Sequence, residues 1–388
     1  MSQESWTEVC AQCAELLSSV PPSILLTALI ATLLGAFVLD GSITEPQQLP
    51  CWQDSLSNRP NRTPDQSTIE KADLFMSVVI PAYNEEKRLG GMLEEAVNYL
   101  ERSYGTLHNT TGENGIAKEG KAARQRKPAN GHMNGHAATG PGNEKGWEII
   151  IVSDGSRDKT EEMALNFARD HQLSLHPKGY AGPWTPGTQE GVHIPPGTIR
   201  VVTLSENRGK GGAVTHGMRH VRGQYVVFAD ADGASDFQDL GKLVTACQDI
   251  EDAEGRGVAV GSRAHMVGSE AVVKRSKLRN FLMHSFHLIL WLLTPAKTAT
   301  IKDTQCGFKL FSRTSLPYII PYMHSEGWIF DVEMLMLAEF SGIPVAEVPV
   351  GWREVTGSKL NVLRDSIGMA WGLAVLRAAW SLGVYRRV

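Results

Sequence analysis

Four short aliphatic runs, each stopped by a polar or acidic turn, limit what this chain can fold into. Residues 75–80 (FMSVVI), 147–153 (WEIIIVS), 199–204 (IRVVTL) and 224–229 (QYVVFA) are rich in β-branched residues and too continuously apolar to keep one face in water. Helical patterns lie between them. Leu89, Leu93, Val97 and Leu100 repeat at helical spacing within 89–104, and helices are predicted over 159–172 and 211–221. Repeated strand and helix units with such strands predict an α/β fold, Rossmann-like, whose mostly parallel sheet carries helices on both faces. Ligands on sheets of this kind sit outside the carboxyl ends of the strands.

Those ends carry chemistry. The first strand runs into Pro81-Ala82-Tyr83-Asn84-Glu85-Glu86 and the second into Asp154-Gly155-Ser156-Arg157-Asp158. The third reaches Glu206-Asn207-Arg208-Gly209-Lys210-Gly211-Gly212, and the fourth Asp230-Ala231-Asp232-Gly233. One such turn is often just turn geometry; four delivered to the same edge define a site. Asp230 and Asp232 suit a hard divalent cation, Mg²⁺ or Mn²⁺, that keeps waters and shares its remaining positions with ligand phosphates. A diphosphate donor is implied. Lys210, the glycines around it and the opening of the next helix are expected to bring charge, amides and a helix dipole to the same anion. The segment is not a Walker loop, and no G-x-G-x-x-G follows the first strand, which disfavours NAD.

Composition narrows the partners. With 38 Lys and Arg against 42 Asp and Glu, the chain lacks the basic excess that a nucleic-acid backbone demands. Cys10, Cys13, Cys51, Cys247 and Cys306 are odd in number and widely spread, so they read as thiols in a reducing compartment.

Membrane features flank the body. After a leader of residues 1–22, residues 23–39 carry no charge and, at about 1.5 Å per residue, span roughly 25 Å, enough for a thin bilayer. The leader has Glu4, Glu8 and Glu15 but no Lys or Arg, which favours an uncleaved anchor over a signal peptide. Arg59, Arg62 and Lys71 follow the anchor, so the body is expected in the cytosol; the sequons at Asn61 and Asn109 would then be unused. Residues 40–73 read as a linker and 74–360 as the catalytic domain, interrupted by a polar, Gly- and Asn-rich insertion at 106–143 that is expected to be disordered. Residues 281–293 (FLMHSFHLILWLL) suit either an interfacial helix or a buried one. Residues 361–388, apolar and aromatic with few charges, are expected to form an amphipathic helix at a membrane surface.

In order, the series VVIPAYNEE, IIIVSDGSRDKT, ENRGKGGAV, FADADGA, GSRA, DTQCGFKLF and GWIFDVEML resembles the inverting family 2 glycosyltransferases of GT-A fold, and within them the branch that glucosylates dolichyl phosphate. The match runs from about Ser77 to the C-terminus apart from the insertion. The resemblance implies transfer of glucose from UDP-glucose to dolichyl phosphate at the cytosolic face of the endoplasmic reticulum membrane, by an enzyme with a single membrane pass, to make the β-linked lipid used in protein N-glycosylation. Carried over, it places Pro81, Tyr83, Glu85 and Asp154 around the uridine and Lys210 at the pyrophosphate. Asp230 and Asp232 would hold the metal, with Asp230 reaching the ribose or sugar as the other reading. Arg263, Arg275 and Arg279 become candidates for the acceptor phosphate. Asp303, Gln305, Lys309, Asp331 and Glu333 become candidates to bind sugar hydroxyls or orient the acceptor, with helix capping and a buried ion pair as the other reading. Transfer of mannose from GDP-mannose, and a silent lipid-phosphate-binding protein, share the scaffold. The intact Asp230, Asp232 and Lys210 speak against the silent form, and PAYNEE replaces the glycine-rich basic loop that a nucleotidyltransferase needs.

Overall fold

The computed structural model describes residues 72–105, 145–187, 190–266, 293–355 and 362–385. Among them lie the strands β1 (Leu74–Ala82), β2 (Trp147–Asp154), β3 (Ile199–Leu204), β4 (Gly223–Ala229), β5 (Val258–Ser262), β6 (Phe308–Ser312) and β7 (Val345–Pro349). The helices are α1 (Leu89–Tyr104), α2 (Thr160–Leu173), α3 (Gly209–Met218), α4 (Leu240–Ile250), α5 (Ala296–Thr300), α6 (Phe330–Phe340) and α7 (Val362–Ser381). The strands make one sheet in the order β3-β2-β1-β4-β6-β5-β7. Every pairing is parallel except those of β6, which runs antiparallel to β4 and β5.

The α/β expectation is met, and the first four strands fall where the aliphatic runs put them. β5, β6 and β7 carry a weaker signal, because each is five residues long and β6 has Lys309 as its second residue. Alternation of side chains distributes the apolar residues to two cores. Met76, Val78 and Ile80 of β1 pack with α1, α2 and α4 on one face, whereas Val79 packs with α3 and α6 on the other.

At the amino-terminal edge of the sheet a buried carboxylate ties strands together. Glu148, fully buried, accepts from the Ser77 hydroxyl (2.7 Å), the Arg222 amide (2.8 Å) and Nε (2.9 Å), and Arg200 (2.7 Å). Four donors satisfy a charge that burial alone would make costly.

The C-terminal helix is docked. Leu373 and Leu376 of α7 are buried against Ile329, Val332 and Met336 in and beside α6. Trp371, Leu382 and Val384 remain exposed. No helix among the described residues is long and apolar enough to cross a membrane. The expected anchor at 23–39, the linker except its last two residues, the insertion at 106–143, Arg275, Arg279 and all but the end of the 281–293 run lie outside the described residues.

Glu148→Ala strands two arginines at the sheet edge and is expected to lower the unfolding free energy by about 3 kcal/mol. Chemical denaturation of the full chain checks this; an unshifted midpoint would mean that the network is energetically neutral.

Candidate active site

The first two strand-end turns are laced together. Asn84 adopts a left-handed backbone (φ 54°), a conformation that asparagine tolerates better than most residues. Its amide donates to the Ser156 hydroxyl (3.1 Å), while its side-chain oxygen accepts from the Arg157 amide (2.7 Å). The Glu85 amide donates to the Thr160 hydroxyl at 2.7 Å, and Lys159 donates to Glu86 at 3.1 Å. Pro81 pairs with Val152 in the sheet, and Pro81, Tyr83 and Glu85 are all partly exposed at this edge.

Asp154 ends β2 and joins the third turn. Its carboxylate accepts from the Arg208 amide (2.7 Å) and its carbonyl from the Asn207 side chain (3.0 Å). Burial raises its pKa above the ordinary carboxylate value, against the pull of the Arg208 and Gly209 amides. Gly155, at φ 64°, lets these turns touch: a Cβ there would lie 2.7 Å from the Asn207 nitrogen.

Beside these turns sits the acid pair. The Lys210 ammonium lies 2.6 Å from Asp230 and 5.9 Å from the ring centres of Phe228, Trp328 and Phe330. Burial opposes its charge, but Asp230 and Asp331 outweigh that and raise its pKa. Asp232 accepts from the Ala234 amide at 3.0 Å. Burial first, then the neighbouring charge of Asp230, raises the Asp232 pKa. The Asp230 amide donates to the Gly307 carbonyl (3.1 Å), and any Cβ on residue 307 would collide with the Asp230 carboxylate.

These residues fit a divalent cation. Two like-charged carboxylates share one turn, and no cluster of three or more His, Cys, Asp or Glu able to hold a metal occurs among the described residues. The remaining positions of a hard ion therefore fall to ligand oxygens and water.

Several expected contacts are corrected. Two α3 amides are used within the protein rather than left for a ligand: Gly211 and Gly212 donate to the Glu326 carbonyl (2.7 and 3.2 Å), and Arg208 pairs with the Glu326 carboxylate. Lys309 is fully buried between Asp331 and the Cys306 carbonyl, so it cannot reach a sugar hydroxyl. Asp331 is buried as its partner. Glu333, also buried, accepts from the His324 and Ser325 amides at 3.0 and 2.7 Å. The buried ion pair, weighed as the plainer reading, is what forms. Gln305 donates to the Met369 sulfur of α7 at 2.8 Å.

Asp303 and Arg263 meet each other. Nε and NH2 of Arg263 donate to the two Asp303 oxygens at 2.7 and 2.8 Å, and Asp303 also accepts from the Arg263 amide (2.9 Å). Although burial opposes it, Arg263 holds the Asp303 carboxyl below its ordinary value. The guanidinium lies 5.7 Å from the Trp352 ring centre.

Sequence reasoning missed three parts of the site. One is Arg88, whose guanidinium grips Glu85; its i,i+3 spacing from that residue was a readable signal. Another is Gly307. The third is a clasp on the Asp230–Asp232 turn: Trp184 donates from its ring to the Gly233 carbonyl (3.1 Å) and from its amide to Glu95 (2.7 Å). Arg353 stacks on Trp184 at 4.2 Å while its amide holds the Ala234 carbonyl at 2.8 Å.

Two outcomes follow for the scaffold. Lys309→Met leaves Asp331 buried without its partner and should cost about 3 kcal/mol of stability, with the donor KM of the surviving folded fraction little changed; kinetics on purified protein separate the two effects. His216 of α3 is lowered from 6.5 to about 4 by burial first and then by His220, Arg219 and Arg208. The unfolded chain therefore takes the proton more readily, and stability falls as pH drops from 6.5 to about 4. Thermal unfolding across that range should show a shallower loss for His216→Asn.

Known proteins resemble the chain over most of its length. The profile of glycosyl transferase family 2 matches residues 185–317. The chain is 40% identical over 320 residues to dolichyl-phosphate beta-glucosyltransferase of Saccharomyces cerevisiae, covering 81% of this chain and 77% of the yeast protein. It is 36% identical to the protein of that name from Drosophila melanogaster over 82% of this chain and 78% of the fly protein, and 34% identical to the one from Mus musculus over 92% and 94%. Among solved structures, glucosyl-3-phosphoglycerate synthase from Mycobacterium tuberculosis, in complex with Mg²⁺ and UDP, aligns over 82% of this chain and 84% of that one, at 17% identity and a TM-score of 0.45. By its relatives and by the residues that its strands bring together, the chain belongs to the dolichyl-phosphate β-glucosyltransferases of glycosyl transferase family 2.

Proposed function

We propose that the chain transfers glucose from UDP-glucose to dolichyl phosphate with inversion, yielding dolichyl β-D-glucosyl phosphate. The observation that carries this reading is the 40% identity to the yeast enzyme over 81% of the chain. Lys210, Asp154, Asp230 and Asp232 at one sheet edge add the chemistry that a nucleoside diphosphate sugar needs.

In this reading Pro81, Tyr83, Glu85 and Asp154 border the uridine, Lys210 neutralises the diphosphate, and Asp230 and Asp232 hold Mg²⁺ or Mn²⁺. A bound divalent ion would stabilise the charge that develops on the departing UDP. The acceptor phosphate, with a second pKa near about 6, is largely dianionic at cytosolic pH and attacks without a strong base. The carboxylates nearest that role support this view, because Asp303 is committed to Arg263 and Asp331 to Lys309. What the chain supplies is alignment and charge neutralisation. Arg263, preset by Asp303, presents a planar cation to the acceptor phosphate, and Arg275 and Arg279 are further candidates from the sequence.

The membrane setting belongs to this proposal. An anchor at 23–39 tethers the catalytic domain to the cytosolic face of the endoplasmic reticulum. The exposed Trp371, Leu382 and Val384 of the C-terminal segment support contact with the bilayer that carries the acceptor.

Membranes containing the chain, given dolichyl phosphate, Mg²⁺ and labelled sugar nucleotide, should form a chloroform-soluble product from UDP-glucose and none from GDP-mannose. EDTA should abolish the signal, and Asp232→Asn should lower kcat/KM by about a hundredfold or more. Mannose transfer, or no transfer by folded, inserted protein, would overturn the reading.

A further inference from the structure

We infer that Arg88 binds the diphosphate of the donor nucleotide, an inference that rests on the donor reading above. Arg88 directly precedes α1, and its guanidinium is oriented by Glu85: Nε donates to one carboxylate oxygen at 2.7 Å and NH2 to the other at 2.5 Å. That fork fixes the plane of the group. Its remaining nitrogen, NH1, is aimed at the acid pair and lies 3.8 Å from the nearer Asp232 oxygen, too far for a hydrogen bond. Asp230 also acts on the same guanidinium. Arg88 therefore spans the gap between the nucleoside side of the edge, where Glu85 sits, and the carboxylates placed at the diphosphate.

The other positive groups near this edge are committed. Arg208 is paired with Glu326, the Gly211 and Gly212 amides are taken by the Glu326 carbonyl, and Arg263, oriented by Asp303, is the cation that the proposed function gives to the acceptor phosphate. The Lys210 ammonium lies 2.6 Å from Asp230, and the Arg88 guanidinium 3.8 Å from Asp232. A diphosphate lying along this pair meets Lys210 on the Asp230 side and Arg88 on the Asp232 side. A guanidinium already fixed in plane by a carboxylate offers its outer N–H groups to phosphate oxygens with little ordering left to do.

Binding of UDP and of uridine to the full-length protein in detergent with Mg²⁺, measured by titration calorimetry, tests this. Arg88→Gln should weaken UDP about tenfold or more, the loss of one charge-assisted hydrogen bond, and leave uridine within about twofold. Unchanged UDP affinity would overturn the inference. Equal loss on both ligands would also overturn it, since it would show that Arg88 only supports the Glu85 turn. Should Arg88→Gln fail to fold, Arg88→Lys serves: it keeps the charge but cannot grip Glu85 and face the phosphates together, and UDP should weaken at least about threefold with uridine unaltered. Equal affinities of wild type and Arg88→Lys for UDP would sink the proposal. A wild-type protein that binds no UDP would remove the donor reading itself, and this inference with it.

Discussion

The site depends on keeping acidic groups ionised where water is scarce. Parallel strands end together, so their polar turns are forced into one small volume above an apolar sheet. The chain answers with alternation of charge. Lys309 pairs with Asp331, Lys210 with Asp230, and Arg88 bridges towards Asp232 and Glu85. Each carboxylate in the row has a cation beside it, and the aromatic rings of Phe228, Trp328 and Phe330 surround the central ammonium. Without those cations, burial and mutual repulsion would favour protonation of Asp232 and dismantle the arrangement.

The turns around this row are held by short-range bonds rather than by a large core. Asn84, Ser156 and Arg157 fasten the first strand end to the second; Asp154, Asn207 and Arg208 fasten the second to the third. The Trp184 and Arg353 clasp holds the fourth. Each bond recruits a backbone amide or carbonyl, so side-chain identity at one turn fixes backbone shape at the next.

Much of this was legible from the chain alone. Aliphatic runs at 75–80, 147–153, 199–204 and 224–229 marked β1 to β4 because burial on both faces demands such runs, and the polar groups that follow them marked the edge. The remaining strands were not legible, because each is short and the lysine near the start of β6 looks polar until its buried partner, twenty-two positions on, is known. For the same reason Lys309, Asp331 and Glu333 read as ligand contacts although they bond to the protein. Arg88 and Gly307 escaped notice because their importance lies in what they touch across the fold. The expectation for the α3 amides followed a sound general rule about helix ends, overridden at Gly211 and Gly212 by a single carbonyl, that of Glu326.

Ile329 links two regions that are otherwise separate in sequence. It follows Trp328 at the rim of the site, and a Cβ on Gly372 of α7 would lie 3.3 Å from it. With Leu373 and Leu376 seated on Val332 and Met336, the rim and the last helix form one packed unit. The height of the acid pair above any surface on which the outer side of α7 rests is therefore a built-in dimension of the fold. In the proposed membrane setting, a lipid phosphate would be met at a preset depth.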